Sequence, residues 1–150
     1  GVTTSLVHTR RTAMIAGARS TGNAVEGGAS YGALGANLVL VPGDQAPADL
    51  VSGVERGVLV TDFWYTRFLD PRTQVVTGLT RNGVWLIEDG RIVRPVTNMR
   101  FTQSFLEALG PGGVRGIGAD PALILAGWDS VYRVPSLHLA TWNFTGGAKG

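Results

Sequence analysis

The sequence predicts an α+β fold, built mainly from antiparallel sheet with a few short helices. The strongest signal is an Asp-Gly pair between two apolar runs at residues 83–97, since Gly tolerates the positive φ of a tight hairpin turn. Most other apolar runs are short and are closed by Gly, Pro or Asp, which is typical of strands. The helix-like patterns are also short, and no internal repeat suggests a solenoid.

One helix is predicted in the first third of the chain. Thr9 can cap a helix over residues 9–18, Ala13 and Met14 are good helix formers, and Gly17 can end it. The other elements predicted here are a short strand at 3–8, a long Gly- and Ser-rich loop at 19–35, and a buried strand at 37–41.

The middle third combines a helix with several strands. Pro47 fits the first turn of a helix over 46–56, and Gly57 can end it. In the hairpin, we expect Leu86 and Val93 to be more buried than Glu88 and Arg91. The predicted elements are a strand at Val58–Phe63, a turn at Asp70–Thr73, a strand at Gln74–Thr80, the hairpin pairing Val84–Ile87 with Arg91–Val96, and a short amphipathic helix at Phe101–Leu109.

The last third is predicted to be strand-rich. Glycines and a proline at 110–113 break the preceding helix. The predicted strands are Ala122–Ala126, Val131–Val134 and Ser136–Trp142, followed by a flexible tail.

Composition narrows the possible functions. The 150 residues are 44% hydrophobic and 16% charged, which suits one globular domain over residues 1–150. The net charge is only +2 and no run of like charges occurs, so the sequence shows no basic patch of the kind that binds nucleic acid. The absence of Cys rules out a disulfide framework and a thiolate metal site. No stretch approaches the ~20 apolar residues of a membrane helix.

Several segments, in order, resemble the TldD/PmbA peptidases, once called modulators of DNA gyrase. Residues 12–23 (TAMIAGARSTGN) are similar to a TARxxGxxSTGN segment, and Asn37–Asp44 to NLxLxPGD. Val54–Asp62 (VERGVLVTD) and Leu86–Val96 (LIEDGRIVRPV) follow. The last similar segment is Asn98–Leu109, where polar residues lead into a short helix. Family chains are considerably longer. The resemblance therefore implies a TldD/PmbA C-terminal domain-like fold, as the C-terminal portion of a longer chain in the cytoplasm.

The resemblance also implies one of two subunit types. TldD-like subunits carry an HExxxH helix and a late Cys that together bind zinc, while TldE/PmbA-like subunits lack this set and pair with them. This chain has no HExxxH and no Cys, and its late segment Gly116–Pro135 offers only Asp120, Asp129 and Tyr132. The resemblance thus favours the TldE/PmbA-like type, with no cofactor of its own, no catalytic residue, and zinc in a TldD-like partner.

Two segments are candidate contacts for a peptide or a partner. Ser20, Thr21, Gly22 and Asn23 match the family's STGN segment, which points to a shaped loop near the peptide channel, and no base stands beside them in sequence to make a nucleophile. The run Phe63-Trp64-Tyr65 cannot place all three rings in one core, because side chains alternate along a strand. At least one ring is therefore expected at an interface, although packing within the same protein is an equal alternative.

The remaining single residues favour structural roles. His8 and His138 are far apart in sequence, and each is expected to be a strand-end His with a backbone partner rather than a metal ligand. Asp62 and Asp70 could suggest paired carboxylates, but Asp70 before Pro71 is more typical of a turn.

Two functions of different class follow. The first is a non-catalytic subunit of a zinc metallopeptidase complex that cleaves unfolded or leader peptides, with the peptide extended along sheet edges. The second is a non-enzymatic module that binds a peptide or a protein. An HExxxH-bearing companion would distinguish them.

Overall fold

The computed structural model describes residues 2–125 and 130–147, which divide into two compact units. Unit 1 comprises Gly1–Val41 and Ala122–Val134, and unit 2 comprises Pro42–Pro121 and Pro135–Gly150. The expectation of a single domain over residues 1–150 stays a prediction. Of the helices described, none is long and apolar enough to cross a membrane.

Ten strands and three short helices are described, and the antiparallel pairings dominate as predicted. In chain order they are α1 (Arg10–Ala16), β1 (Leu38–Val39), α2 (Pro47–Ser52), β2 (Arg56–Asp70), β3 (Val75–Glu88), β4 (Arg91–Pro95), β5 (Met99–Ser104), α3 (Phe105–Ala108), β6 (Val114–Ile117), β7 (Ala122–Leu125), β8 (Val131–Val134), β9 (Leu137–Leu139) and β10 (Phe144–Gly147).

In unit 1, the predicted helix α1 is confirmed together with both of its ends. The Thr9 hydroxyl accepts from the Thr12 backbone N–H, and the Thr12 hydroxyl accepts in return from the Thr9 backbone N–H. This reciprocal pair satisfies N–H groups that the helix leaves free at its start. Gly17 ends the helix with a φ of 62°, a left-handed conformation that Gly adopts without steric cost.

The sheet of unit 1 has three strands in the order β1-β8-β7, with β1 parallel and β7 antiparallel to β8. The strand predicted at 3–8 does not form. The buried strand predicted at 37–41 is also wrong, because only Leu38–Val39 pairs and the side chains of residues 38–41 are exposed. The strand predicted at 122–126 is confirmed over Ala122–Leu125, and Ala126 lies outside the described residues.

Unit 2 is organised around β3, which lies between β2 on one side and β4 and β5 on the other. The two strands predicted at 74–80 and 84–87 are one continuous strand. The polar pair Asn82-Gly83 does not end it, because both residues adopt positive φ in a bulge opposite Thr61. The core of the sheet consists of the buried side chains of Val76, Thr77, Thr80, Val84, Ile87, Phe101 and Gln103.

The predicted hairpin is confirmed, with Glu88 opposite Arg91 and a two-residue turn between β3 and β4. Asp89 and Gly90 have φ of 48° and 72°, as a type I′ turn requires. Leu86 is half-buried whereas Glu88 and Arg91 are exposed, as expected, but Val93 is also exposed, at 53%. A register shift between Leu86 and Ile87 leaves Val93 without a partner in the ladder.

Two predictions near the C-terminal half are corrected. The helix predicted over Phe101–Leu109 is instead strand β5 followed by the short helix α3, because the residues up to Ser104 pair with β3. The predicted tail contains strand β10, which pairs antiparallel with β5. In both cases a long-range pairing overrides a local pattern.

The turn between β3 and β4 is fixed to the junction between α2 and β2. The Asp89 N–H donates to the Glu55 carbonyl at 2.7 Å, and the Gly90 N–H donates to the Val54 carbonyl at 2.9 Å. A Cβ on Gly90 would come within 2.7 Å of the Ser52 carbonyl oxygen. Gly90 therefore satisfies two demands at once, a positive φ and close approach to another backbone.

We expect the substitution Gly90→Ala to lower the free energy of unfolding by about 2–4 kcal/mol, because it adds a backbone clash to the cost of positive φ. Gly112→Ala is the matched control. Gly112 also has positive φ, at 75°, but nothing lies within 4 Å of its Cβ position. This control should cost only about 1 kcal/mol. Urea unfolding of both variants measures the difference, and equal losses would contradict the close-approach argument.

Candidate functional site

Strand β2 presents a long edge. It is 15 residues long, and its only strand partner within residues 2–125 and 130–147 is β3. Its other side therefore carries backbone N–H and C=O groups with no ladder partner in the described chain. Such an edge can accept a further extended strand through main-chain hydrogen bonds.

The sequence-predicted segment Phe63-Trp64-Tyr65 lies on this edge strand. The exposed fractions of the three side chains are 42%, 49% and 66%. None of the three rings is therefore a core residue of the described chain. This agrees with the expectation that at least one of them faces outward, because side chains alternate along a strand. Whether they contact a peptide or a partner stays a prediction.

Phe63 is the inward member of the segment. Its ring makes an edge-to-face contact with Phe101, with centroids 4.8 Å apart, and stacks on Trp142 at 5.2 Å. Trp142 is held there because the neighbouring Asn143 N–H donates to Gln103 Oε1 at 2.9 Å. Sequence reasoning missed Trp142, since no local pattern links it to a strand that begins far earlier in the chain.

Trp64 and Tyr65 are each accompanied by an arginine. The guanidinium of Arg81 lies 4.4 Å from the Trp64 ring centroid, and that of Arg67 lies 5.3 Å from the Tyr65 ring centroid. Both distances suit cation–π attraction. A shallow hollow of about 190 Å³ lies beside Tyr65, Thr66 and Arg67. Each exposed ring thus lies beside a positive charge, so the surface that they form is not purely apolar.

The backbone at Tyr65 is strained. Tyr65 has a φ of 56°, which is uncommon for a residue with a bulky side chain. It lies where the β2–β3 register shifts between Trp64 and Arg67, so Tyr65 and Thr66 have no Cα partner on β3. Strain of this kind concentrates at functional sites.

The predicted segment 20–23 is a loop of unit 1 that is held in place by hydrogen bonds. The Thr21 hydroxyl accepts from the His8 backbone N–H and donates to Asn23 Oδ1, both at 2.6 Å. The Asn23 side-chain amide donates to the Leu34 carbonyl at 3.2 Å. Ser20 and Gly22 complete the turn, and all four residues except the half-buried Asn23 are exposed. Their predicted contact with peptide or partner stays a prediction.

The two carboxylates that flank the aromatic segment have separate partners. Asp62 Oδ2 accepts from the Asn82 side-chain amide at 2.9 Å. Asp70 accepts from the Thr73 hydroxyl at 2.7 Å and from the Arg72 backbone N–H at 2.9 Å. These hydrogen bonds, that of Thr73 first, lower the pKa of Asp70. The predicted turn role of Asp70 is confirmed.

The histidines fall in different units, His8 in unit 1 and His138 in unit 2. His8 does not end a strand, since none forms there, and the Thr21 backbone N–H donates to the His8 backbone carbonyl rather than to its ring, at 3.1 Å. The His8 Nδ1 atom is buried and has no hydrogen-bond partner. Among the described residues, no three His, Cys, Asp or Glu side chains are grouped to hold a metal ion.

Comparison with known families gives a match over nearly the whole chain. The family model described as the PmbA/TldA metallopeptidase C-terminal domain matches residues 1–146. No curated protein matches the chain.

Solved structures share the fold. A protein described as a modulator of a DNA gyrase from Thermotoga maritima superposes with a TM-score of 0.72 at 21% identity, covering 97% of this chain and 31% of its own. TldE from Thermococcus kodakarensis gives 0.74 at 20% identity, covering 93% and 31%. A protein described as a modulator of DNA gyrase from Bacteroides thetaiotaomicron gives 0.59 at 26% identity, covering 89% and 26%. This chain thus spans about a third or less of each.

We expect Tyr65→Asn to raise the free energy of unfolding by about 0.5–1 kcal/mol, because Asn tolerates positive φ better than Tyr and the Tyr ring is largely exposed. Tyr31→Asn is the control, since Tyr31 is also exposed, at 60%, but has no positive φ. It should bring no gain. Thermal or urea unfolding measures both variants, and a loss of stability in Tyr65→Asn would show that the ring contact with Arg67 outweighs the strain.

Proposed function

Because the chain belongs to the PmbA/TldA metallopeptidase C-terminal domain family, we propose that it is a non-catalytic, TldE/PmbA-like component of a heteromeric zinc metallopeptidase. In this proposal a TldD-like partner holds the zinc, and this chain helps to form the chamber in which unfolded or leader peptides are cleaved. The observation that carries the proposal is the long free edge of β2 with its exposed aromatic segment.

The β2 edge suits an extended peptide of varied sequence. Main-chain hydrogen bonds to a strand edge do not depend on the peptide's side chains, so they supply affinity with little sequence preference. The run Arg56–Val60 pairs regularly with β3 and is the longest run of β2 without a register shift. The aromatic segment follows it directly, where Trp64 and Tyr65 can pack against a peptide or the partner.

The loop at residues 20–23 supports the same role by its construction. Its side chains are fixed by hydrogen bonds to His8 and Leu34 rather than left free to move. A loop held in this way presents a fixed surface at low entropic cost. We propose that Ser20, Thr21, Gly22 and Asn23 contact the peptide or the partner subunit.

We expect Trp64→Ala and Tyr65→Ala each to weaken assembly with the TldD-like subunit, or peptide hydrolysis by the complex, by about tenfold, because exposed aromatic side chains often dominate interface energy. Leu106→Ala is the matched control, since Leu106 is an exposed apolar residue of the same unit, at 62%. Co-elution and cleavage of an unfolded peptide measure the two effects. If both aromatic variants assemble and cleave as the unchanged protein does, the proposed contact is wrong.

The alternative is a non-enzymatic module that uses the same edge and aromatic segment to hold a peptide or protein. The β2 edge fits this function as well, because strand addition needs no catalytic partner. The two functions differ in one outcome. If the chain binds extended peptides but neither assembles with an HExxxH-bearing subunit nor affects its activity, the binding module is the better description.

We expect the purified chain to bind no stoichiometric zinc, since its sequence contains no Cys and only two His, in different units. Metal analysis after dialysis should give well below one zinc per chain, whereas the assembled complex should retain about one per TldD-like subunit. A stoichiometric zinc ion on this chain alone would contradict the non-catalytic assignment.

A further inference from the structure

Unit 2 contains an open cleft of about 600 Å³ whose lining includes no residue of the aromatic segment. Its size lies within the range of pockets that hold small molecules. The buried Leu50 and the exposed Ala140 provide apolar surface. The polar side chains that line the cleft are Gln45, Asp49, Glu55, Arg115 and His138.

Strands β6 and β9 form one wall, where Gly116 lies directly opposite His138 in an antiparallel pair. Opposite residues of such a pair point to the same face of the sheet. A Cβ on Gly116 would collide with Gln45 Oε1 and would come within 2.7 Å of Leu50 Cδ2. The missing side chain therefore makes room for the Gln45 side chain, which lines the same cleft as His138.

Arg115 reaches the cleft because the strand is irregular. Val114 pairs with Leu139 and Gly116 pairs with His138, which leaves Arg115 without a partner in the ladder. In a regular strand Arg115 and Gly116 would point to opposite faces. A bulge can re-aim a side chain, and Arg115 lines the same cleft as His138.

The charged groups around the cleft are not paired with one another. Within residues 2–125 and 130–147, the side chains of Asp49, Glu55, Arg115 and His138 make no hydrogen bond or ion pair. Asp49, Glu55 and Arg115 are exposed, so two carboxylates and a guanidinium border one cavity without a protein partner and are open to a ligand. Carboxylates bind ammonium groups, and the planar guanidinium binds a carboxylate through two parallel hydrogen bonds.

From this arrangement we propose that the cleft binds a small zwitterion, a free amino acid or a short peptide with unblocked ends. Arg115 takes the ligand carboxylate, and Asp49 and Glu55 take the ammonium group. The two acidic side chains disfavour phosphates and other anions, while Arg115 disfavours a simple cation. This site goes beyond the proposed function, because binding there requires neither a partner subunit nor hydrolysis.

The test is an amide chemical-shift titration of the isotopically labelled protein with alanine, alanyl-alanine, N-acetyl-alanyl-alanine and alanyl-alanine amide. We expect saturable shifts at residues of the cleft with the free-ended ligands. Blocking either end should weaken binding by about tenfold, because each block removes a charge-assisted hydrogen bond. Comparing alanine with alanyl-alanine distinguishes a free amino acid from a peptide as the preferred ligand.

Charge-removing variants assign the two ends. Arg115→Gln should weaken alanyl-alanine by about tenfold and leave the amide-blocked ligand nearly unchanged. The double variant Asp49→Asn, Glu55→Gln should weaken alanyl-alanine and leave the N-acetylated ligand nearly unchanged. Arg72→Gln and Glu107→Gln are the controls, since both residues are exposed and neither lines the cleft.

Several outcomes overturn the proposal. One is the absence of saturable shifts up to about 10 mM free-ended ligand. Another is equal binding of blocked and unblocked ligands, and a third is the same loss of binding in the control variants. These measurements use the chain alone, so a failure here leaves assembly through the β2 edge untouched. Conversely, failed assembly does not affect the titration.

Discussion

The contact between the β3–β4 turn and the α2–β2 junction is the constraint on which unit 2 depends. Two backbone hydrogen bonds join Asp89 and Gly90 to the carbonyls of Glu55 and Val54. They fix where β2 begins relative to the far end of β3, and therefore the register of the pairing that follows. The same junction places the Glu55 side chain on the cleft and starts the free edge. The cleft and the free edge of β2 thus both depend on this contact.

Local signals predicted the elements that local chemistry decides. The caps of α1 and the turn at Asp89-Gly90 depend on residues within a few positions of one another, so Thr9, Gly17 and Gly90 could be assigned from the sequence. The family resemblance placed VERG and LIEDG in order along the chain. It did not show that these two motifs touch, which is a fact of the folded structure.

The missed features all depend on distant partners. The spacing of Phe101 and Phe105 fitted a helix, but pairing with β3 makes the first a strand residue. Trp142 joins Phe63 because β10 and its preceding residues return to β5. Similarly, Arg115 and His138 meet at one cleft through a bulge that no sequence spacing encodes. The aromatic segment was identified because three consecutive aromatic residues conflict with strand alternation, which is a local rule, whereas residues 20–23 were identified from the family resemblance.

The irregular register of β2 also bears on aggregation. A long exposed strand edge beside exposed aromatic side chains would ordinarily act as a template for uncontrolled stacking of chains into fibrils. In β2 the register shifts at three points, after Val60, Trp64 and Phe68, so that no regular run extends beyond Arg56–Val60. A short strand can pair with this regular run. A longer, fibril-forming segment would reach a register shift before its pairing became cooperative. The register shift at Tyr65 is thus one of the irregularities that limit ordered stacking of chains along this edge.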